Sequence, residues 1–160
     1  MRHSLKTGLS FGVTSGIITT LGLIVGLYTG TGSKIAVLGG ILTIAVADAF
    51  SDALGIHISE ESENVHTSKE IWEATLFTFL TKFASAMTFS LPFLLFSLPI
   101  AVKVSIVWGL LLLIVFNFYL ARQQKENPFK VIGEHLFISL VVIIITNFIG
   151  NRISSIFSSD

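Results

Sequence analysis

The chain has 160 residues, 52% of them hydrophobic and 12% charged, and its ten basic and ten acidic side chains balance to zero. A soluble domain carries about twice that share of charge, zero net charge offers no basic surface to nucleic acid, and the lack of cysteine excludes disulfides and thiolate metal sites. With a mean hydropathy of +0.82 and its apolar residues in long blocks, the chain has the composition of an integral membrane protein.

Five spans fit. The first covers 7–29 and holds no charged side chain. Arg2, His3 and Lys6 precede it, as in a signal peptide. The apolar run continues to about Gly32, too long for such a peptide, and no clear small-x-small cleavage site follows, so it reads as a retained helix. Gly8, Gly12 and Gly16 form one row at four-residue spacing, and Gly22, Gly26 and Gly30 a second. Such rows let backbones approach closely, either within one subunit or across a dimer. Thr14, Ser15, Thr19 and Thr20 either return hydrogen bonds to their own backbone or line a polar path. The stretch from Tyr28 to Lys34 looks like a phosphate loop but lacks its spacing and preceding strand.

The second span covers 34–57 and carries Asp48 and Asp52, which a helix places on one face, one turn apart. Two acids in a membrane segment cost roughly 5–7 kcal/mol before any partner is counted, so they are used or neutralised. The span leads into His57, Glu60, Glu61 and Glu63, an acidic entry region. Thr67-Ser68-Lys69-Glu70 has the form of a capping box and starts the third span, 71–96, which Pro92 bends or stops. Pro99 marks the turn into the fourth span, 101–121, and Asn127-Pro128 the turn into the fifth, 131–150. Glu134-His135 reads as an interfacial pair with Lys130 one turn before it.

The expected fold is therefore an all-α integral membrane protein: one transmembrane domain over 1–160, five transmembrane helices and no internal repeat. A cytoplasmic N-terminus puts Arg2, Lys6, Lys69, Arg122, Lys125 and Lys130 on one side, against Lys34, Lys103 and Arg152 on the other. That excess favours the N-terminus inside and the C-terminus on the opposite side.

Lys82 is the third intramembrane charge. Asp48 lies roughly 18 Å, and Lys82 roughly 16 Å, from the cytoplasmic end at 1.5 Å per residue, so they meet at similar depth. One reading is a buried Asp–Lys pair that makes insertion tolerable. The other is a cation or proton site, since carboxylates are hard oxygen donors suited to divalent cations and Lys82 would compete for them. At the mouth, Glu63, His66, Glu70 and Glu73 share a face if one helix runs through them, which is a first-row metal set. A helix break near Thr67 would make them a solvated acidic loop instead.

Phe11-Gly12-Val13-Thr14-Ser15-Gly16 and the apolar residues on to Gly26 resemble the first helix of the vacuolar iron transporter family. Ala47-Asp48-Ala49-Phe50-Ser51-Asp52-Ala53-Leu54-Gly55, followed by Ser59 to Glu63, resembles its second helix and exit, and Ser90-Leu91-Pro92-Phe93-Leu94 the end of its third. The resemblance implies a five-span homodimer with a path for Fe²⁺ or Mn²⁺ between the first and second helices, coupled to protons. The departures fall on the site. Ser15-Gly16 stands where Asp-Gly is usual, Ile44 where a Glu is common, and Ser51-Asp52 where Ser-Met is usual. A short acidic loop replaces the family's long Glu/Met-rich cytoplasmic domain.

The function expected from these observations is divalent-cation transport. Asp48 and Asp52 serve as metal or proton carboxylates, Lys82 as charge partner or competitor, Ser15 as a lining hydroxyl, and His57, Glu60, Glu61 and Glu63 as the entry. Partners are the bilayer, a second copy and the transported ion, with no permanently bound cofactor. The competing expectation is a non-transporting membrane scaffold in which an Asp–Lys bridge replaces the metal site. No nucleophile–base set marks an enzyme.

Overall fold

The computed structural model describes residues 3–157, so Arg2 of the charge balance lies outside the described residues. The chain folds into α1 (His3–Thr31), α2 (Lys34–Ser62), α3 (Ser68–Thr88), α4 (Ser90–Leu95), α5 (Leu98–Gln124) and α6 (Pro128–Phe157). Among the described residues, five helical segments are long and apolar enough to cross a membrane, with α3 and α4 together making one of them. Most ends lie a few residues beyond the expected spans, while α2 starts at Lys34 as expected and the third segment ends at Leu95, one residue short; cap signals set several of these boundaries. The Ser33 hydroxyl accepts from the amide of Ala36 at the start of α2. Thr67 and Glu70 complete the anticipated capping box at the start of α3.

The third span is broken at Phe89. Pro92 cannot donate to the carbonyl four residues before it, and its ring crowds that turn, so the helix ends at Thr88 and restarts at Ser90. Phe96 closes the short α4 by donating to the Pro92 carbonyl at 2.9 Å.

Helix α1 runs through the middle of the bundle and touches α2, α3, α5 and α6. Its two glycine rows explain how. Between Gly16 and Gly22 the helix turns by six residues, which rotates the second row about 120° from the first. The first row meets α3: a Cβ at Gly12 would stand 2.7 Å from the Thr78 carbonyl oxygen, and one at Gly8 would stand 2.7 Å from that of Ala74. The second row meets α6: a Cβ at Gly22 would stand 2.8 Å from Val142 Cγ1, and Gly30 faces Gly150. Both rows thus serve packing within one subunit. These pairings also show α1, α3 and α6 running in one direction, since the partner numbers rise together.

The bundle has two zones. Ile17, Leu21, Ile24, Val37, Ile41, Phe89, Phe93, Ala101, Val102 and Leu113 form a dry core. Nearer the start of α1, the buried side chains turn polar: Ser4, Glu60, Thr78, Lys82, Asn117 and Ser139. The exterior is apolar, with Val115 on α5 and Ile144 on α6 each 67% exposed. Such a surface suits lipid rather than water.

Candidate functional site

On α3 the buried residues are Ala74, Thr78, Lys82 and Ala86, a row at four-residue spacing. Lys82 thus sits in the middle of the face that α3 presents to the bundle, and it is 1% exposed. Gly16 makes room for it: a Cβ there would stand 3.1 Å from the Lys82 carbonyl oxygen and 3.2 Å from its Cγ. On α2 the buried row is Ala45, Ala49 and Ala53. Asp48 and Asp52 each precede a member of that row by one residue, a rotation of about 100°. They therefore stand on its flank, with side chains 30% and 21% exposed.

The three charges meet. Lys82 Nζ lies 2.6 Å from Asp48 Oδ2 and also donates to Asp52 Oδ2. Its remaining partner is the Ser15 hydroxyl of α1 at 3.0 Å, which in turn donates to Asp52 Oδ2 at 2.7 Å. An ammonium has three N–H donors, so three acceptors from two other helices saturate it. The carboxylates outnumber the ammonium by one, and the cluster carries a formal charge of −1.

Asp48, Asp52, Lys82 and Ser15 are thus brought into one site. Ser15 departs from its neighbours, because Thr19 and Thr20 return their hydrogen bonds to the carbonyls of Ser15 and Gly16 at 2.9 and 2.6 Å. The entry residues divide into two places. His57 faces a groove of about 860 Å³ between α2 and α3, where it pairs with Thr75 Oγ1 at 2.9 Å and meets the Trp72 ring edge-on at 4.7 Å. Glu60, buried near the end of α2, lies 3.5 Å from His66 Nε2. Glu63, the C-cap, lies 3.2 Å from that same nitrogen. Glu61 stands exposed beside them.

The mouth does not form the single-helix set of Glu63, His66, Glu70 and Glu73. α2 ends at Ser62, α3 starts at Ser68, and Glu70 bonds the Thr67 amide and hydroxyl in the capping box. Among the described residues no group of three or more His, Cys, Asp or Glu side chains is placed to hold a metal ion. What the central site offers is two carboxylates and a hydroxyl, all oxygen donors, already engaged by an ammonium.

Two polar residues take places that the sequence did not indicate. His135, read with Glu134 as an interfacial pair, lines a cleft of about 340 Å³ that also reaches Ser10, Thr14 and Ser15. Asn117 is fully buried on α5. An amide inside an apolar span was the available signal for Asn117. His135 gave none, because only the packing of α6 on α1 sets its depth.

No protein-family model, curated protein or solved structure matches the chain.

Proposed function

We propose that this protein is a membrane transporter for a divalent cation, Mn²⁺ or Fe²⁺, moved in exchange for protons at the Asp48–Lys82–Asp52 cluster. The observation that carries this reading is the imbalance of the cluster: one buried ammonium is shared by two carboxylates that stay partly exposed. A bridge that only joined helices would need one acid for one base. A second acid costs about 2.5–3.5 kcal/mol in a membrane segment and leaves charge to be met by something else. Asp48 and Asp52 would bind the cation with Ser15 as third oxygen donor, and Lys82 would be the internal competitor that the ion displaces. Carboxylate and hydroxyl oxygens suit Mn²⁺ among the first-row metals. The resemblance to vacuolar iron transporters over residues 11–26 and 47–63 points to the same class, with the N-terminus inside and the cation approaching past Glu60, Glu61 and Glu63. A homodimer of that type would pair through a face other than the two glycine rows, which α3 and α6 cover.

The test is Mn²⁺ uptake into proteoliposomes. Asp48→Asn with Asp52→Asn is expected to reduce uptake to the level of empty vesicles while the protein stays folded. Unchanged uptake would refute the assignment.

The saturation of Lys82 favours one second reading, a membrane scaffold in which the lysine pins α1 and α2 to α3. In that case wild-type vesicles would take up no ion, and Lys82→Met would change stability alone. In the transport reading, Lys82→Met would change the rate or ion dependence of uptake in protein that still folds.

A further inference from the structure

The cleft between α1, α5 and α6 has no role in the site so far. It is lined by Ser10, Phe11, Thr14 and Ser15 of α1, Leu120 of α5 and His135 of α6. Ser15 is therefore shared between the cleft and the ion cluster. A hydroxyl has one donor and two acceptor lone pairs. The donor goes to Asp52 and one lone pair to Lys82, which leaves a lone pair for the cleft.

His135 contributes a further polar atom. Its Nδ1 donates to the Val131 carbonyl oxygen at 2.8 Å, since that oxygen can only accept, which leaves Nε2 as the ring's other polar atom. A further buried polar group lies beside the cleft on α5, though not in its lining. Asn117 shares a helix face with Leu120, one turn along, and is fully buried. Its amide donates to the Leu113 carbonyl at 2.9 Å, but its carbonyl Oδ1 has no protein partner. A buried amide oxygen left unsatisfied costs about 1–3 kcal/mol, and ordered water is the usual remedy. No carboxylate lines the cleft. The nearest charged groups along the chain are Lys6 on α1, Arg122 on α5, and Lys130 and Glu134 on α6.

We propose that this cleft is a water-filled side entrance that brings water and protons to the ion cluster through Ser15, separate from the acidic mouth at the end of α2. The inference rests on the cation–proton reading above and adds its proton branch. Hydroxyls and a neutral imidazole can pass protons, whereas a divalent cation shedding water needs anionic oxygens, which the cleft lacks. The transfer balances without any redox partner. Ser15 gives its proton to Asp52 Oδ2 and takes one from a hydronium ion in the cleft, which is left as water, so one proton moves inward and the hydroxyl is restored.

The absence of native cysteine allows a direct test in reconstituted full-length protein. Thr14→Cys places a thiol in the cleft, and Phe137→Cys, two residues from His135 and 68% exposed on the apolar exterior, is the lipid-facing control. Methanethiosulfonates react with the thiolate, which apolar surroundings suppress. Aminoethyl methanethiosulfonate should label Thr14→Cys at least about tenfold faster than Phe137→Cys. The cationic reagent should also outpace sulfonatoethyl methanethiosulfonate there, relative to their rates with a free thiol, because the cluster is negative. Asp52→Asn, or Asp48→Asn should the first not fold, should lower that preference at least about threefold. Labelling no faster than the control, or a charge preference indifferent to both Asn substitutions, would overturn the proposal. Neither readout requires transport, so a chain that moves no Mn²⁺ would refute the proposed function and leave the entrance decided on its own result.

Discussion

Lys82→Met is the substitution whose energy follows most directly from the geometry. Methionine is unbranched and of similar length, so it fills much of the same space beside Gly16 but removes the charge and all three hydrogen bonds. Two carboxylates that met at one ammonium, at 2.6 Å for Asp48 and in direct contact for Asp52, are then left facing each other. Removing one partner of a buried ion pair costs about 3–5 kcal/mol, because the remaining charge is buried without compensation. The acids' side chains are 30% and 21% exposed, which places the expected loss at the lower end, about 3 kcal/mol. In a thermal melt of detergent-solubilised protein this corresponds to roughly 6–12 °C. The informative comparison is the triple variant Lys82→Met, Asp48→Asn, Asp52→Asn. Removing the whole charged set is often close to neutral, so the triple should recover at least about 2 kcal/mol of what the single loses. Reversible unfolding in mixed micelles measures both. A single variant within about 1 kcal/mol of wild type, or a triple no more stable than the single, would refute the claim that Lys82 compensates these acids.

Three further outcomes follow from the packing and the caps. Ser15→Ala, which removes an acceptor for Lys82 and a donor to Asp52, should cost about 2 kcal/mol in the same unfolding assay, as hydrogen bonds to charged groups do; a change within error would mean the hydroxyl is replaced by water at no cost. Gly12→Ala should destabilise by about 1–3 kcal/mol because the new methyl meets α3, whereas Gly39→Ala, with nothing within 4 Å of its Cβ, should be neutral or gain up to about 1 kcal/mol from helix propensity. Thr67→Ala should lose about 1 kcal/mol by breaking the capping box at the start of α3, and amide exchange at Glu70 should quicken while exchange at Ala86 stays unchanged.

Five spans were legible because twenty-residue apolar runs and proline-marked turns are local signals, and the capping box at Thr67 was legible for the same reason. The meeting of Lys82 with Asp48 and Asp52 could also be anticipated, because counting residues from the span ends gives depth. Which faces touch is not a local property. The two glycine rows of α1 announced close approach but not the partner. Only the assembled bundle assigns the first row to α3 and the second to α6. The break at Phe89 was half visible: Pro92 forecast a disturbance near the end of the span, and its clash with the preceding turn moves the break three residues earlier. His57 read as part of the acidic mouth because it is close in sequence to Glu60. The ring also meets Thr75 and Trp72 of α3, a contact between helices that no local pattern shows.

The placement of the three charges bears on how one site could both hold the fold and carry out the ion exchange proposed above. Lys82 occupies the centre of the buried row of α3, and its ammonium is enclosed by the two acids and Ser15. Asp48 and Asp52 stand one residue off the buried row of α2, so each has one side on the lysine and one side open. A cation approaching from that open side would meet the carboxylates before the lysine. Any charge it delivers weakens their hold on Lys82, and the lysine can then drop no further than Ser15, the one neutral acceptor in its shell. Had the acids lain on the alanine row itself, the pair would be sealed and purely structural. Had Lys82 lain on a flank, it would reach an aqueous surface and leave the acids uncompensated. The one-residue offset on α2, set against the central position on α3, makes this cluster stable and still open to a competitor.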